Sequence, residues 1–311
     1  MTGIPESYFD YPLRGRGMDH DRYKARYLRD LPAFQWDGDT DLLVWVTVHL
    51  EQFPMDMPAT PVKPIGGMDR PYPSVWDYST RDYGNRVGIY RLFDVLDRHG
   101  IRATAAMNSD LATRYPTLIQ DILARDWEIA AAGVDMGHLH HSQLDEAEER
   151  ALVQTAFDTL RKASGQAVTG WHSPAHSQSA VTPDLVAEAG GQYICDWIND
   201  DLPYAFHTRA GDLTQLPLSY DLSDHKIIGL QNMPIEDYAY QLDAAFDMLL
   251  DEARSRGGRI LSLSLSPWAI AQPGRIDTLD RLLARFMATP GVACATGEEI
   301  RSQWAALGLE G

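Results

Sequence analysis

The sequence predicts an α/β chain organised on a parallel sheet or barrel. Three observations carry this. Continuous apolar, β-branched runs such as Leu42-Leu43-Val44-Trp45-Val46-Thr47-Val48 have the pattern of strands buried on both faces, as parallel strands are. Such runs alternate with segments of helical spacing along most of the chain. Almost every predicted strand ends in ionisable residues, which a parallel arrangement would gather on one rim. The 311 residues, 44% hydrophobic, suffice for one large core, and α/β barrels of this length are often single domains. We expect an N-terminal arm over residues 1–40 and a single barrel domain over residues 41–311.

The elements follow in order. Strand 42–48 runs into His49-Leu50-Glu51-Gln52. Residues 53–84, rich in proline and glycine, predict a long loop that forms a pocket wall or a subunit contact. Ile89, Leu92, Phe93 and Leu96 make one face of a helix over 87–99, stopped by Gly100. A strand over 102–107 precedes a helix over 110–125 with Pro116 near a turn. Strand 127–132 leads into a loop carrying Asp135, His138, His140 and His141. Helix 145–164 is followed by strand 168–171, which ends in His172-Ser173-Pro174-Ala175-His176. Thr182 caps a helix whose first position is Pro183. Strand 193–197 ends in Asn199-Asp200-Asp201, and short strands are expected over 213–218 and 226–230. A long helix over 235–256, a strand over 259–265 ending at Ser266-Pro267-Trp268, a helix over 277–288, a strand over 292–296 and a helix over 298–306 complete the chain.

Composition excludes several function classes. The net charge is −17, and no Lys/Arg cluster offers the basic face that nucleic acid requires. Cys195 and Cys294 are far apart in apolar runs, so no disulfide framework is implied and a reducing compartment fits. The N-terminus lacks the basic start and apolar stretch of a signal peptide, and no run reaches the roughly 18 apolar residues of a membrane helix. These features predict a cytoplasmic protein that does not engage membranes. The arm and the proline-rich loop exceed what a monomeric barrel requires, and predict a homo-oligomer.

The strand ends supply His49 and Glu51, Asp135 and His138, His172 and His176, and Asp196, Asp200 and Asp201, with Ser266 near the C-terminus. Imidazoles and carboxylates converging on one rim suit acid/base or metal-assisted hydrolysis. His138, His140 and His141 would suit a metal if extended and would serve as loop caps otherwise. No Gly-rich phosphate loop is present.

Several segments resemble the polysaccharide deacetylase superfamily, in particular its cytoplasmic allantoinase-like and cyclic-imide-hydrolase-like branch. They are Asp82-Tyr83-Gly84-Asn85-Arg86-Val87-Gly88, Trp127-Glu128-Ile129-Ala130 with Gly133, Gly170-Trp171-His172-Ser173-Pro174, residues 196–204, Pro267-Trp268 through Gly274-Arg275, and residues 291–300. The resemblance implies a distorted, incomplete, seven-stranded (β/α) barrel with its site on the C-terminal rim. It places the metal-binding histidines of the secreted deacetylases at Ala132 and Met136, their paired aspartates at His49-Leu50-Glu51, their third-motif arginine at His172 and their late histidine at Ser266. Methyl and thioether groups are poor ligands for a hard or borderline cation. We therefore expect no metal cofactor, the alternative being zinc or another divalent metal in a rebuilt site.

The expected function is hydrolysis of the non-peptide C–N bond of a small amide, cyclic imide or ureide. Glu51 would be general base, with Asp135, His172 and Asp201 orienting the reactants and His176 stabilising the oxyanion. His49, Ala132, Met136, Trp171, Asp200, Tyr204, Ser266 and Trp268 would contact a small-molecule substrate. The alternatives are a metal-dependent carbohydrate N-deacetylase and a catalytically impaired binding protein on the same fold.

Overall fold

A computed structural model describes residues 20–55 and 73–309, which form one sheet of nine strands flanked by helices. The strands are β1 (Leu42–Leu50), β2 (Thr104–Met107), β3 (Glu128–Ala131), β4 (Gly170–Trp171), β5 (Tyr193–Ile194), β6 (Tyr204–Phe206), β7 (Leu213–Gln215), β8 (Arg259–Leu265) and β9 (Val292–Cys294). Their order is β6-β7-β5-β4-β3-β2-β1-β8, with β9 also paired to β1. Every ladder is parallel except β6–β7. The long β1 pairs with β8 over Leu42–Val48, with β9 through Leu42–Val44 and with β2 through Thr47–Leu50. No ladder closes β8 onto β6 or β7 among the described residues, so the sheet is the expected distorted, incomplete barrel. It carries nine strands where seven were implied, because β6 adds an antiparallel partner and β9 shares one edge of β1 with β2.

Strand alternation sorts the side chains. On β1, Leu42, Val44, Val46, Val48 and Leu50 pack outward among helix residues such as Leu92 and Phe93. Leu43 and Trp45 point the other way, into an inner cluster with Trp36, Tyr193 and Trp304. The same inward column continues through Thr47 to His49 and Glu51. On β8, Leu261, Leu263 and Leu265 belong to the outer core, which leaves Ser262, Ser264 and Ser266 on the inner face. The inner side chains are bulky at the strands' N-terminal end and small near the C-terminal end, so space opens there.

Helices α1 (Val75–Tyr83), α2 (Ile89–Arg98), α3 (Asp110–Arg114), α4 (Pro116–Leu123), α5 (Glu146–Ser164), α6 (Thr182–Glu188), α7 (Ile235–Arg256), α8 (Ile276–Met287) and α9 (Gly297–Leu307) cover the sheet. Three predicted segments differ. The proline-rich stretch contains α1, capped by Ser74, whose Oγ accepts from Asp77 N; residues 56–72 lie outside the described residues. The helix expected over 110–125 is two helices, because Pro116 drives Tyr115 out of helical geometry (φ −128°, ψ 64°). The strand expected over 226–230 is a π-helical turn, His225–Leu230, started where Lys226 N donates to Ser223 Oγ. Ile227 and Ile228 are both buried there, and two adjacent apolar residues do not distinguish the two geometries. Tyr204–Phe206, unassigned in the sequence reading, forms β6. Among the described residues no helix is long and apolar enough to cross a membrane. The described part of the arm packs on the barrel: Arg22 pairs with Asp184 at 2.7 Å, and Trp36 lies in the inner cluster.

Candidate active site

The space at the C-terminal ends of the strands is a cavity of about 350 Å³. Its walls include His49 and Glu51 after β1, Met136 and Leu139 after β3, His172 and His176 after β4, and Ser264 and Ser266 at the end of β8. Phe53, Arg81, Ile198, Tyr220, Ser223, His225 and Leu230 complete most of the enclosure. The sequence-predicted Glu51, His172, His176, His49, Met136 and Ser266 therefore meet in one place.

Glu51 is held from two sides. Arg81 Nε donates to its Oε2 at 3.3 Å, and Asn85 Nδ2 donates to its main-chain oxygen at 2.9 Å. The Arg81 guanidinium is wedged between two aromatic faces, 4.4 Å from the Phe53 centroid and 4.3 Å from that of Trp268. Helix α1 brings Arg81 there because Gly84 and Gly88 lie against the Pro267-Trp268 backbone. A Cβ at Gly88 would come within 2.2 Å of the Pro267 oxygen.

The histidines form a chain of ring contacts. His49 and His172 have centroids 4.9 Å apart, His172 and His176 4.6 Å, and His176 and Tyr220 5.5 Å. His49 Nε2 lies 2.6 Å from Ser264 Oγ. His176 is turned back toward His172 by left-handed backbone at Ala175 (φ 54°) and at His176 itself (φ 53°). Two successive non-glycine residues in that region are strained, by about 1–3 kcal/mol each, and such strain concentrates at functional sites. Burial lowers the pKa of His49 and of His176 to about 4, and drives those of His172 and His225 below the ordinary histidine value. All four imidazoles are thus neutral at pH 7, each with one N–H to donate and one nitrogen to accept.

Acidic groups lie behind this wall. Burial pushes Asp196 up to about 7, although Ser173 N and Ser173 Oγ both donate to it at 2.7 Å. Asp224 is likewise pushed up to about 7 by burial, and accepts from Ser266 N and Ile270 N, fixing the end of β8.

The remaining predicted site residues lie elsewhere. Asp135 does not line the cavity: its Oδ1 accepts from Gly137 N and His138 N at 2.7 and 3.0 Å, capping the loop. Trp171, next to His172 on an alternating strand, points outward into the core against Phe157 and is fully buried. Ala132 is buried outside the cavity wall, and its oxygen accepts from Asn108 Nδ2. Tyr204 donates to Asn199 Oδ1 at 2.7 Å and packs on Tyr23. Asp200 and Asp201 line a separate depression of about 160 Å³, where Arg26 pairs with Asp200 at 3.1 Å. Trp268 lies behind Arg81 as its stacking partner. His140 is buried against Glu149, 3.1 Å away, while His138 and His141 make local loop contacts. Sequence reasoning missed Arg81, Tyr220, His225 and Ser264. Only Ser264 had a usable signal, the alternation Ser262-Leu263-Ser264-Leu265-Ser266.

The polysaccharide deacetylase family model matches residues 75–194, from α1 through β5. That segment is similar to the polysaccharide deacetylases. A Schizosaccharomyces pombe protein assigned to the polysaccharide deacetylases is 23% identical over 251 residues, covering 72% of this chain and 75% of its own. Among solved structures, a Pseudomonas aeruginosa PAO1 protein assigned to the same group matches with TM-score 0.79 and 24% identity, over 91% of this chain and 98% of its own. PuuE allantoinase matches with TM-score 0.78 and 23% identity, over the same shares. This chain does not carry the metal set that the resemblance implies at the expected places. A methyl stands at 132, outside the cavity, and a thioether at 136, so that donor set does not fit a divalent cation.

Proposed function

We propose that the protein hydrolyses the C–N bond of a small, uncharged amide, cyclic imide or ureide. The observation that carries this is Glu51, backed by Arg81, facing a cavity lined by four neutral histidines. Glu51 accepts a proton from a water that attacks the carbonyl carbon. An imidazole N–H from His172 or His176 donates to the oxygen as it gains charge; a neutral ring does this without needing a counter-ion. The tetrahedral intermediate then collapses, the C–N bond breaks, and Glu51 returns its proton to the departing nitrogen. Phe53, Met136, Leu139, Ile198 and Leu230 supply apolar walls for a flat, small substrate. The cavity volume of about 350 Å³ lies in the small-molecule range, which favours a compact substrate over a sugar polymer. The solved allantoinase of the same fold has an activity of this class.

Purified protein incubated with allantoin, hydantoins, succinimides and N-acetyl and N-formyl amides, with release of acid and amine followed, tests the reading. We expect turnover of at least one cyclic imide or ureide, lost in Glu51→Gln. Turnover confined to N-acetylated sugars would favour the carbohydrate deacetylase, and no turnover in any class would favour a binding protein.

A further inference from the structure

We infer that His172, His176 and Asp196 form a binding site for one divalent transition-metal ion of the zinc class. Their donor atoms, one from each residue, all lie within 4.8 Å of one another. Among the described residues this is the set of three His, Cys, Asp or Glu donors grouped so closely. Two further observations point to an ion. His172 Nε2 and His176 Nδ1 are buried polar atoms with no hydrogen-bond partner. Such atoms are rare in folded proteins and call for a partner that is absent from the polypeptide. Asp196, in turn, is aligned by Ser173 N and Ser173 Oγ, the kind of outer support that orients a ligating carboxylate.

The donor chemistry selects the ion. Two imidazoles and a carboxylate suit zinc, cobalt or nickel, whereas calcium and magnesium prefer all-oxygen sites. Three protein ligands leave one tetrahedral position for water or another small ligand. Ligands about 2.0–2.2 Å from zinc sit roughly 3.3–3.6 Å from each other. Closing the site therefore asks for a movement of about 1 Å. The strained backbone at Ala175 and His176 is what brings the second imidazole to the first.

This set differs from the one the family resemblance implies, which would fall at Ala132 and Met136. It also stands apart from the substrate proposed above: a chain that binds zinc here and cleaves no amide would sink that reading and leave this one intact.

The test is metal binding by the full chain, stripped with a chelator and titrated calorimetrically with zinc, with cobalt(II) followed by its visible absorption. We expect one ion per chain and a tetrahedral cobalt spectrum, with no comparable uptake of calcium. His176→Asn keeps a residue tolerant of left-handed backbone, and should weaken zinc binding by at least about 100-fold without lowering the melting temperature. Ser173→Ala should weaken it by about tenfold. His207→Gln, at an exposed histidine outside the cavity, should change nothing. Failure to bind stoichiometric zinc or cobalt would overturn the proposal, as would equal affinity in His176→Asn and His172→Ala.

Discussion

The two ends of the barrel both hold buried ionisable groups but treat them in opposite ways. At the N-terminal end, burial raises the pKa of Glu128, yet every need of its carboxyl is met. Tyr193 donates at 2.6 Å, Thr104 Oγ1 at 2.8 Å and Glu298 N at 3.2 Å. Thr104 Oγ1 itself accepts from Trp45 Nε1 and Gly297 N, which ties β1, β2, β3, β5 and α9 together. At the C-terminal end, nitrogens of His172 and His176 have no partner, and the backbone under His176 is strained. A satisfied network fixes the fold, whereas an unsatisfied one awaits something from outside. The same contrast separates stability from catalysis in barrels generally.

Glu51→Gln should have the largest effect. Gln can still accept from Arg81, so the fold is kept while proton acceptance is lost. We expect kcat to fall by about 10²–10⁴-fold with little change in melting temperature. An equal loss of stability and activity would place Glu51 in the scaffold, and would blur the division between the two ends.

Tyr193→Phe probes the opposite end. It removes one donor from an enclosed carboxyl, and should cost about 1–3 kcal/mol in urea unfolding while kcat/KM stays unchanged. A selective loss of activity instead would mean that the two ends are coupled.

The outline of the fold was legible because it rests on burial period. Strand 259–265 and helix 235–256 were read with the bounds they have. The continuous apolar run of β1 announced a strand covered on both faces. Within the site, His49, Glu51 and His172 were legible because they lie on inward columns at the strand ends. Trp171 was misplaced for the same physical reason: one residue from His172, it must face the other way. Arg81 was hidden because proline and glycine around it masked a helix, and its role comes from stacking partners distant in sequence. His225 was hidden by a π-helical turn whose apolar residues read as a strand.

Ala132→His sharpens the comparison further. From sequence, a histidine there would restore a lost ligand. In the structure residue 132 is buried on an inward column outside the cavity wall, beside Asn108. An imidazole there overpacks the site, so we expect a loss of about 1–3 kcal/mol and no rise in C–N hydrolysis. A gain in turnover would move the site deeper into the barrel than the cavity indicates.

The smallest effect concerns two neighbours, Asp224 and His225, whose pKa values burial moves in opposite directions. Asp224 rises from 3.8 to about 7, so between those values the native chain holds a proton that the unfolded chain releases. Its contribution is fully present below pH 3.8 and is lost as pH rises through about 7. His225 falls below 6.5, so under that pH the unfolded chain takes up a proton that the native chain refuses. Its contribution is present above pH 6.5 and is lost on acidification. The two slopes oppose each other below pH 6.5. Asp224→Asn, which keeps an acceptor for Ser266 N, should leave the histidine slope uncovered, so stability rises more steeply with pH up to 6.5. His225→Gln should do the reverse, making stability fall as pH approaches 7. Urea unfolding in chelator at several pH values between about 4 and 7 reads both slopes. Parallel curves for the two variants and the wild type would show that neither group is as enclosed as the rim geometry requires.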